Sequence, residues 1–151
     1  FHRLMEIVAA SLNREEGFGI VFDLHSFNYR REKDPEEVGR NKPDINLGTA
    51  AADRQAFGRV IENLLQRLEG ITVGGRKLRI AENEIFRGGY LTRNLSARFP
   101  GRILVVAVEF KKIFMDERTG RLNKDILEEL TYKFSRAATA TVKAAPSLYR
   151  K

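Results

Sequence analysis

The sequence predicts an α/β protein whose sheet is mostly parallel or mixed and is covered by helices on both faces. Three observations predict it. Two apolar runs, Gly19 to His25 and Ile103 to Phe110, are nearly unbroken, as strands buried on both faces require. Amphipathic helical patterns lie before, between and after them. Strand and helix signals alternate along 151 residues, enough for one domain that buries roughly 70% of its unfolded surface.

Leu4, Ile7, Val8 and Leu12 recur at helical spacing and Gly17 follows as a stop, so residues 2 to 15 are predicted to form a helix with that stripe facing the core. The strand "GIVFDLH" comes next. From Phe27 to Asp44, "FNYRREKDPEEVGRNKPD" is a polar connection of 18 residues, longer than most loops. It reads as a substrate-covering loop or as a plain insertion. Asp53 is placed to cap a second helix, with Phe57, Val60, Ile61, Leu64, Leu65 and Leu68 along one side and Gly70 beyond its end. "KLRIAE", Lys77 to Glu82, gives a further strand, and "ILVVAVEF" a second buried one. Asn123 caps a long final helix through Leu127, Leu130, Phe134 and Ala138 toward Val142, with Pro146 marking its end.

Composition narrows the function. The chain has no cysteine and no segment approaching the roughly 20 apolar residues of a membrane helix, so the expectation is a reducing cytoplasm and no membrane partner. The net charge of +7 invites a nucleic-acid reading. The arginines are interspersed with acidic residues, however, and form no block with interleaved aromatics. The basic balance therefore predicts attraction for small anions, not for nucleic acid. Phe1 stands already inside the first helical pattern, which predicts further residues of the parent fold upstream.

Chemistry concentrates at the strand ends. Alternation puts Val21, Asp23 and His25 on one face of their strand, and Ile103, Val105, Ala107 and Glu109 on one face of theirs. Ligands bind outside the carboxyl ends of strands in open α/β sheets, so His25 and Glu109 are candidates for one site, joined by Glu82 and Asn83 if the sheet is parallel there. Neutral imidazole is a common metal ligand, and a carboxylate such as Asp23 often fixes its ring. A carboxylate such as Glu109, held beside an activated water, can take its proton. On residues alone, a hydrogen-bonded histidine at a strand end and a Glu109 ion pair with Lys111 or Lys112 explain the same pattern. Gly88 and Gly89 make a turn that allows close backbone approach, Tyr90 can hydrogen-bond a substrate, and Arg93 can pair with a substrate carboxylate through its planar fork. Asn28 and Asp44 flank the strand ends, where they can orient substrate or close the loop. His2 and Glu6 share a helical face without forming a ligand set.

The order "DLHSFN", "PDINLG", "AENEIFRGGYLTR" and "VVAVEFKKIFMDERTG" resembles the successive motifs of the N-formylglutamate amidohydrolase family, from residue 20 to the final helix. That resemblance implies a zinc-carboxypeptidase-like or aspartoacylase-like fold. It also implies hydrolysis of the amide bond of an N-acylated acidic amino acid, a small anionic substrate. By the same resemblance His25 is the last of three zinc ligands, Asp23 its buttress and Glu109 the general base. Asn28, Asp44, Asn83, Gly88, Gly89, Tyr90 and Arg93 then line the substrate site. The histidine and glutamate that complete the zinc site in the family fall before the position of Phe1, as do arginines that grip the substrate carboxylate. A carboxypeptidase or cell-wall peptide amidase of the same fold, and a non-catalytic binding domain that has lost metal ligands, remain the alternatives.

Overall fold

The computed structural model describes residues 2–29 and 41–150. Helix α1 (His2–Glu16) leads into strand β1 (Gly19–Phe27). Strand β2 (Ile45–Gly48) and helix α2 (Arg54–Leu68) follow. Strands β3 (Thr72–Val73), β4 (Arg76–Lys77) and β5 (Ile80–Glu82) come next, then helix α3 (Tyr90–Arg98), strand β6 (Ile103–Lys111) and helix α4 (Lys124–Leu148). The central part of the predicted Phe27–Asp44 loop lies outside the described residues.

The main sheet has the order β1-β6-β2-β5 and is mixed, as predicted. β1 and β6 run parallel, β2 runs antiparallel to β6, and β5 runs parallel to β2. β3 and β4 form a separate antiparallel pair joined through Gly74 and Gly75, whose φ values of 57° and 73° are those a two-residue hairpin turn demands. No helix among the described residues is long and apolar enough to cross a membrane.

Each sheet face has its own core. On one, Leu104, Val106 and Val108 of β6 and Ile45 and Leu47 of β2 meet Phe57, Ile61 and Leu64 of α2 and Leu130 and Phe134 of α4. On the other, Val21, Ile103 and Val105 pack against Ala9 of α1 and Leu91 and Leu95 of α3. The caps sit where the sequence puts them: Asp53 Oδ1 accepts from the N–H groups of Gln55 (3.0 Å) and Ala56 (3.2 Å), and Asn123 Oδ1 from that of Ile126 (3.2 Å). Gly17 stops α1 in the left-handed region at φ 73°, its N–H bonded to Asn13 O.

Four expectations need correction. The stripe predicted to bury α1 does so only in part: Ala9, Met5 and Leu12 turn inward, whereas Leu4 and Ile7 are 60% and 58% exposed. The "GIVFDLH" run reads as an interior strand, yet among the described residues β1 has a neighbour on one side only, and Leu24 is 58% exposed. Strand β2 gives no separate strand signal, because four residues are too short to show a period; all four are buried. Finally, α4 runs through Pro146 to Leu148, the Ser147 hydroxyl bonding to Ala144 O in the last turn.

Candidate active site

Register brings His25 and Glu109 together. Their Cα atoms are direct partners across β1 and β6, and Glu109 is in turn the partner of Asn46 across the antiparallel β6–β2 pair. His25, Glu109 and Asn46 thus form one row on the face covered by α1 and α3. The row below contains Asp23, Ala107 and Gly48, and the row above Phe27, Lys111 and Asp44. His25 Nε2 lies 3.0 Å from Asp23 Oδ1, so the buttress expected from alternation forms. With Nε2 committed to Asp23, the Nδ1 lone pair is left to accept or ligate. Burial pushes the Glu109 carboxyl above the usual carboxylate range, His25 pulls it partly back, and the proximity of Asp23 adds to the rise.

The glycine turn approaches this face through Asn46. Asn46 is fully buried; its Oδ1 accepts from the N–H groups of Glu84 (3.1 Å) and Ile85 (3.0 Å), and its Nδ2 donates to Phe86 O (2.7 Å). Phe86 then reaches the Phe27 ring of β1 at 5.2 Å between centroids, so this segment crosses the sheet face on which Glu109 stands. Sequence reasoning missed Asn46, although an amide inside the apolar run "INL" was the available signal, since a buried polar side chain requires partners. Gly48 shows why the turn fits. A Cβ there would lie 2.6 Å from Gly88 N, and Gly88 itself sits at φ 113°. Gly48→Ala is therefore expected to push residues 87–89 off the sheet and to cost about 1–3 kcal/mol, read as a lowered urea midpoint at unchanged slope.

The other proposed site residues are placed as follows. Gly89 opens α3 with no side-chain cap, and Tyr90, exposed, has its ring 4.7 Å from that of His2. Arg93 Nη1 donates to Gly88 O at 3.4 Å. Asn28 Oδ1 accepts from Lys112 Nζ at 2.6 Å at the end of β1. Asp44 is 2% exposed and shares the Glu109 face one row up, where Arg76 donates to it through both terminal nitrogens (2.9 and 3.0 Å) and the Arg79 N–H adds a third bond (2.8 Å). β5, with β2, runs against β6 and β1, so Glu82 and Asn83 do not reach the carboxyl edge of β1 and β6. Asn83, at φ 55°, instead holds Thr49 through Oδ1 (2.9 Å) and Nδ2 (3.2 Å), and Glu82 pairs with Arg54.

An imidazole braced by a carboxylate fits one corner of a catalytic zinc site, which takes three protein ligands. Among the described residues no group of three histidine, cysteine, aspartate or glutamate side chains is placed to hold a metal ion.

Comparison with known proteins agrees with this layout. The crystal structure of N-formylglutamate amidohydrolase from Ralstonia eutropha JMP134 superposes with a TM-score of 0.56 at 18% identity, over 97% of this chain and 50% of that one. This chain thus spans half the length of that enzyme, and the likeness is one of fold. No curated protein sequence matches it. The family model for N-formylglutamate amidohydrolase matches residues 1–115, most of the chain and every strand of the main sheet. The chain belongs to the N-formylglutamate amidohydrolase family.

Proposed function

We propose that this chain forms part of a zinc-dependent hydrolase that cleaves the amide bond of an N-acylated acidic amino acid, of the N-formylglutamate type. The observation that supports it is the row in which His25, braced by Asp23, stands directly across from Glu109 at the carboxyl ends of two parallel strands. His25 would hold the metal together with two ligands from outside these 151 residues. Bound zinc would supply Lewis-acid polarisation of the scissile carbonyl and a more acidic water. The chain's own residues do the rest. Asp23 keeps the imidazole in one tautomer and orientation. Glu109, its carboxyl raised by burial, takes a proton from the attacking water and can return it to the leaving amine.

Gly88, Gly89 and Tyr90 would line the substrate, with Arg93 available to its carboxylate and Asn28 and Asp44 fixing the surrounding backbone. The basic surface favours anionic substrates. A cysteine-free composition suits a cytoplasmic setting.

Zinc affinity and formate release from N-formyl-L-glutamate test the reading in the assembled enzyme. His25→Ala is expected to abolish stoichiometric zinc, and Asp23→Asn to weaken it about 10–100-fold. Full zinc retention in His25→Ala would remove the proposal. Activity confined to peptides would move the substrate to the carboxypeptidase or peptide-amidase alternative.

A further inference from the structure

We propose that Asn46 and Asn83 are reciprocal positioning residues of the candidate active site: between them they hold residues 83–88 as a fixed wall across the row of His25 and Glu109, so that the substrate-lining turn keeps its place beside the base. The inference rests on the hydrolase reading and adds to it two residues that act through this wall, not by touching substrate.

The wall crosses that row. At one end the Phe86 ring lies against Phe27, one row beyond Glu109. At the other, Gly88 N closes on Gly48, one row short of it. Residues 86–88 therefore straddle the row that Asn46 completes beside Glu109. A side chain rising from the row itself is the shortest tether to such a segment.

Residues 83–88 belong to no helix or strand, so no ladder of their own fixes them and their backbone groups need partners from elsewhere. Asn46, fully buried, supplies these partners. Its Oδ1 accepts from the N–H groups of Glu84 (3.1 Å), Ile85 (3.0 Å) and Phe86 (3.5 Å), and its Nδ2 donates to Phe86 O (2.7 Å). An amide offers acceptor and donor on one short planar group. A carboxylate would turn an acceptor toward Phe86 O, and an apolar side chain would leave these groups without partners.

Asn83 returns the grip from the other side. Held in the left-handed region at φ 55°, it accepts from Thr49 N through Oδ1 (2.9 Å) and donates to Thr49 Oγ1 through Nδ2 (3.2 Å), while its own N–H bonds to Leu47 O (2.9 Å). The Ala50 N–H then reaches Arg87 O at 3.1 Å. A residue of β2 thus holds the chain that follows β5, and the residue that follows β5 holds the chain that leaves β2. Pinned in both directions, the wall resists a shift of about 1 Å, the scale of misplacement that costs a positioned substrate about 10²-fold.

The test is Asn46→Ala in the assembled enzyme, followed by kcat and KM for N-formyl-L-glutamate, zinc content and hydrogen exchange. The expected result is a KM raised at least about tenfold with zinc content and kcat retained, and faster exchange at residues 84–90 but not in β1 or β6. A merely structural role would lower kcat with the folded fraction and leave KM unchanged. Asn83→Gly keeps the left-handed backbone and removes only the side-chain bonds to Thr49, so KM should rise by a smaller factor; this variant decides the matter should Asn46→Ala not fold. Unchanged KM in the folded variant, or a loss confined to kcat, would overturn the inference and leave the hydrolase reading in place. A wild-type enzyme that cleaves no N-acylated amino acid would strike the hydrolase reading, and this inference with it.

Discussion

On the proposed function, Glu109→Gln is expected to lower amide hydrolysis by the assembled enzyme about 10²–10⁴-fold, and at neutral pH to make the chain more heat-stable. The two effects share one cause. Burial first, and then the charge of Asp23, hold the Glu109 carboxyl above the ordinary 4.5, so the folded protein prefers the protonated form. A group whose folded pKa is raised stabilises fully below its unfolded pKa and loses that contribution as pH rises through the folded value. The ionised carboxylate is thus a strain on the fold that an uncharged, isosteric amide does not impose. The melting temperatures of the two proteins should coincide near and below pH 4.5, separate as pH rises, and run parallel once Glu109 is fully ionised. Thermal melts at a series of pH values check this; a variant less stable at pH 7, or a gap independent of pH, would refute the assignment. Glutamine keeps the shape and the hydrogen-bonding reach but cannot accept the proton, so the hydrolytic loss should fall on kcat.

Asp44→Ala carries the largest expected loss of stability, about 3 kcal/mol, or roughly 6–12 °C in melting temperature for a chain of this size. The carboxylate is buried under two guanidinium bonds, one backbone N–H bond and the Lys111 ammonium 3.5 Å away. Arg76 is half exposed and solvent screens it, so its own share is modest. Lys111 is different: it is buried, and burial drives its pKa down against the pull of Asp44. Removing Asp44 takes away the counter-charge that offsets this desolvation. Desolvation also pushes Asp44 up, but the Arg76 and Arg79 hydrogen bonds and the charges of Arg76 and Lys111 prevail, leaving it below 3.8. The stabilisation is therefore present above pH 3.8 and lost as pH falls through the lower folded value. Urea titration at pH 7 and pH 3 checks both statements: a cost below 1 kcal/mol at pH 7 would mean that Lys111 finds other partners.

Much of this was legible before any coordinates. The caps at Asp53 and Asn123, the stripe of α2, the two long apolar strands and the shared face of Asp23 and His25 are all local patterns, and each is realised. What local pattern does not contain is direction and neighbourhood. Nothing in "PDINLG" or "RIAE" says that these strands run against β6, and that reversal carries Asn83 to Thr49 instead of to the site. Asp44 looked like a loop residue because its partners lie at least 32 positions away. The α1 stripe is apolar as its spacing predicts, yet Leu4, Ile7 and Val8 are exposed, since periodicity identifies an apolar face without fixing what it packs against.

The reversal of β2 has one more consequence. Because β1 ends and β2 begins at the same end of the sheet, Phe27 and Asp44, at the two ends of this connection, both stand one row beyond Glu109. Lengthening such a connection is cheap, about 0.6 kcal/mol per doubling. Its length can thus change while the sheet that aligns Glu109 stays the same. On the proposed function, substrate range would then evolve on a different clock from the row of His25 and Glu109.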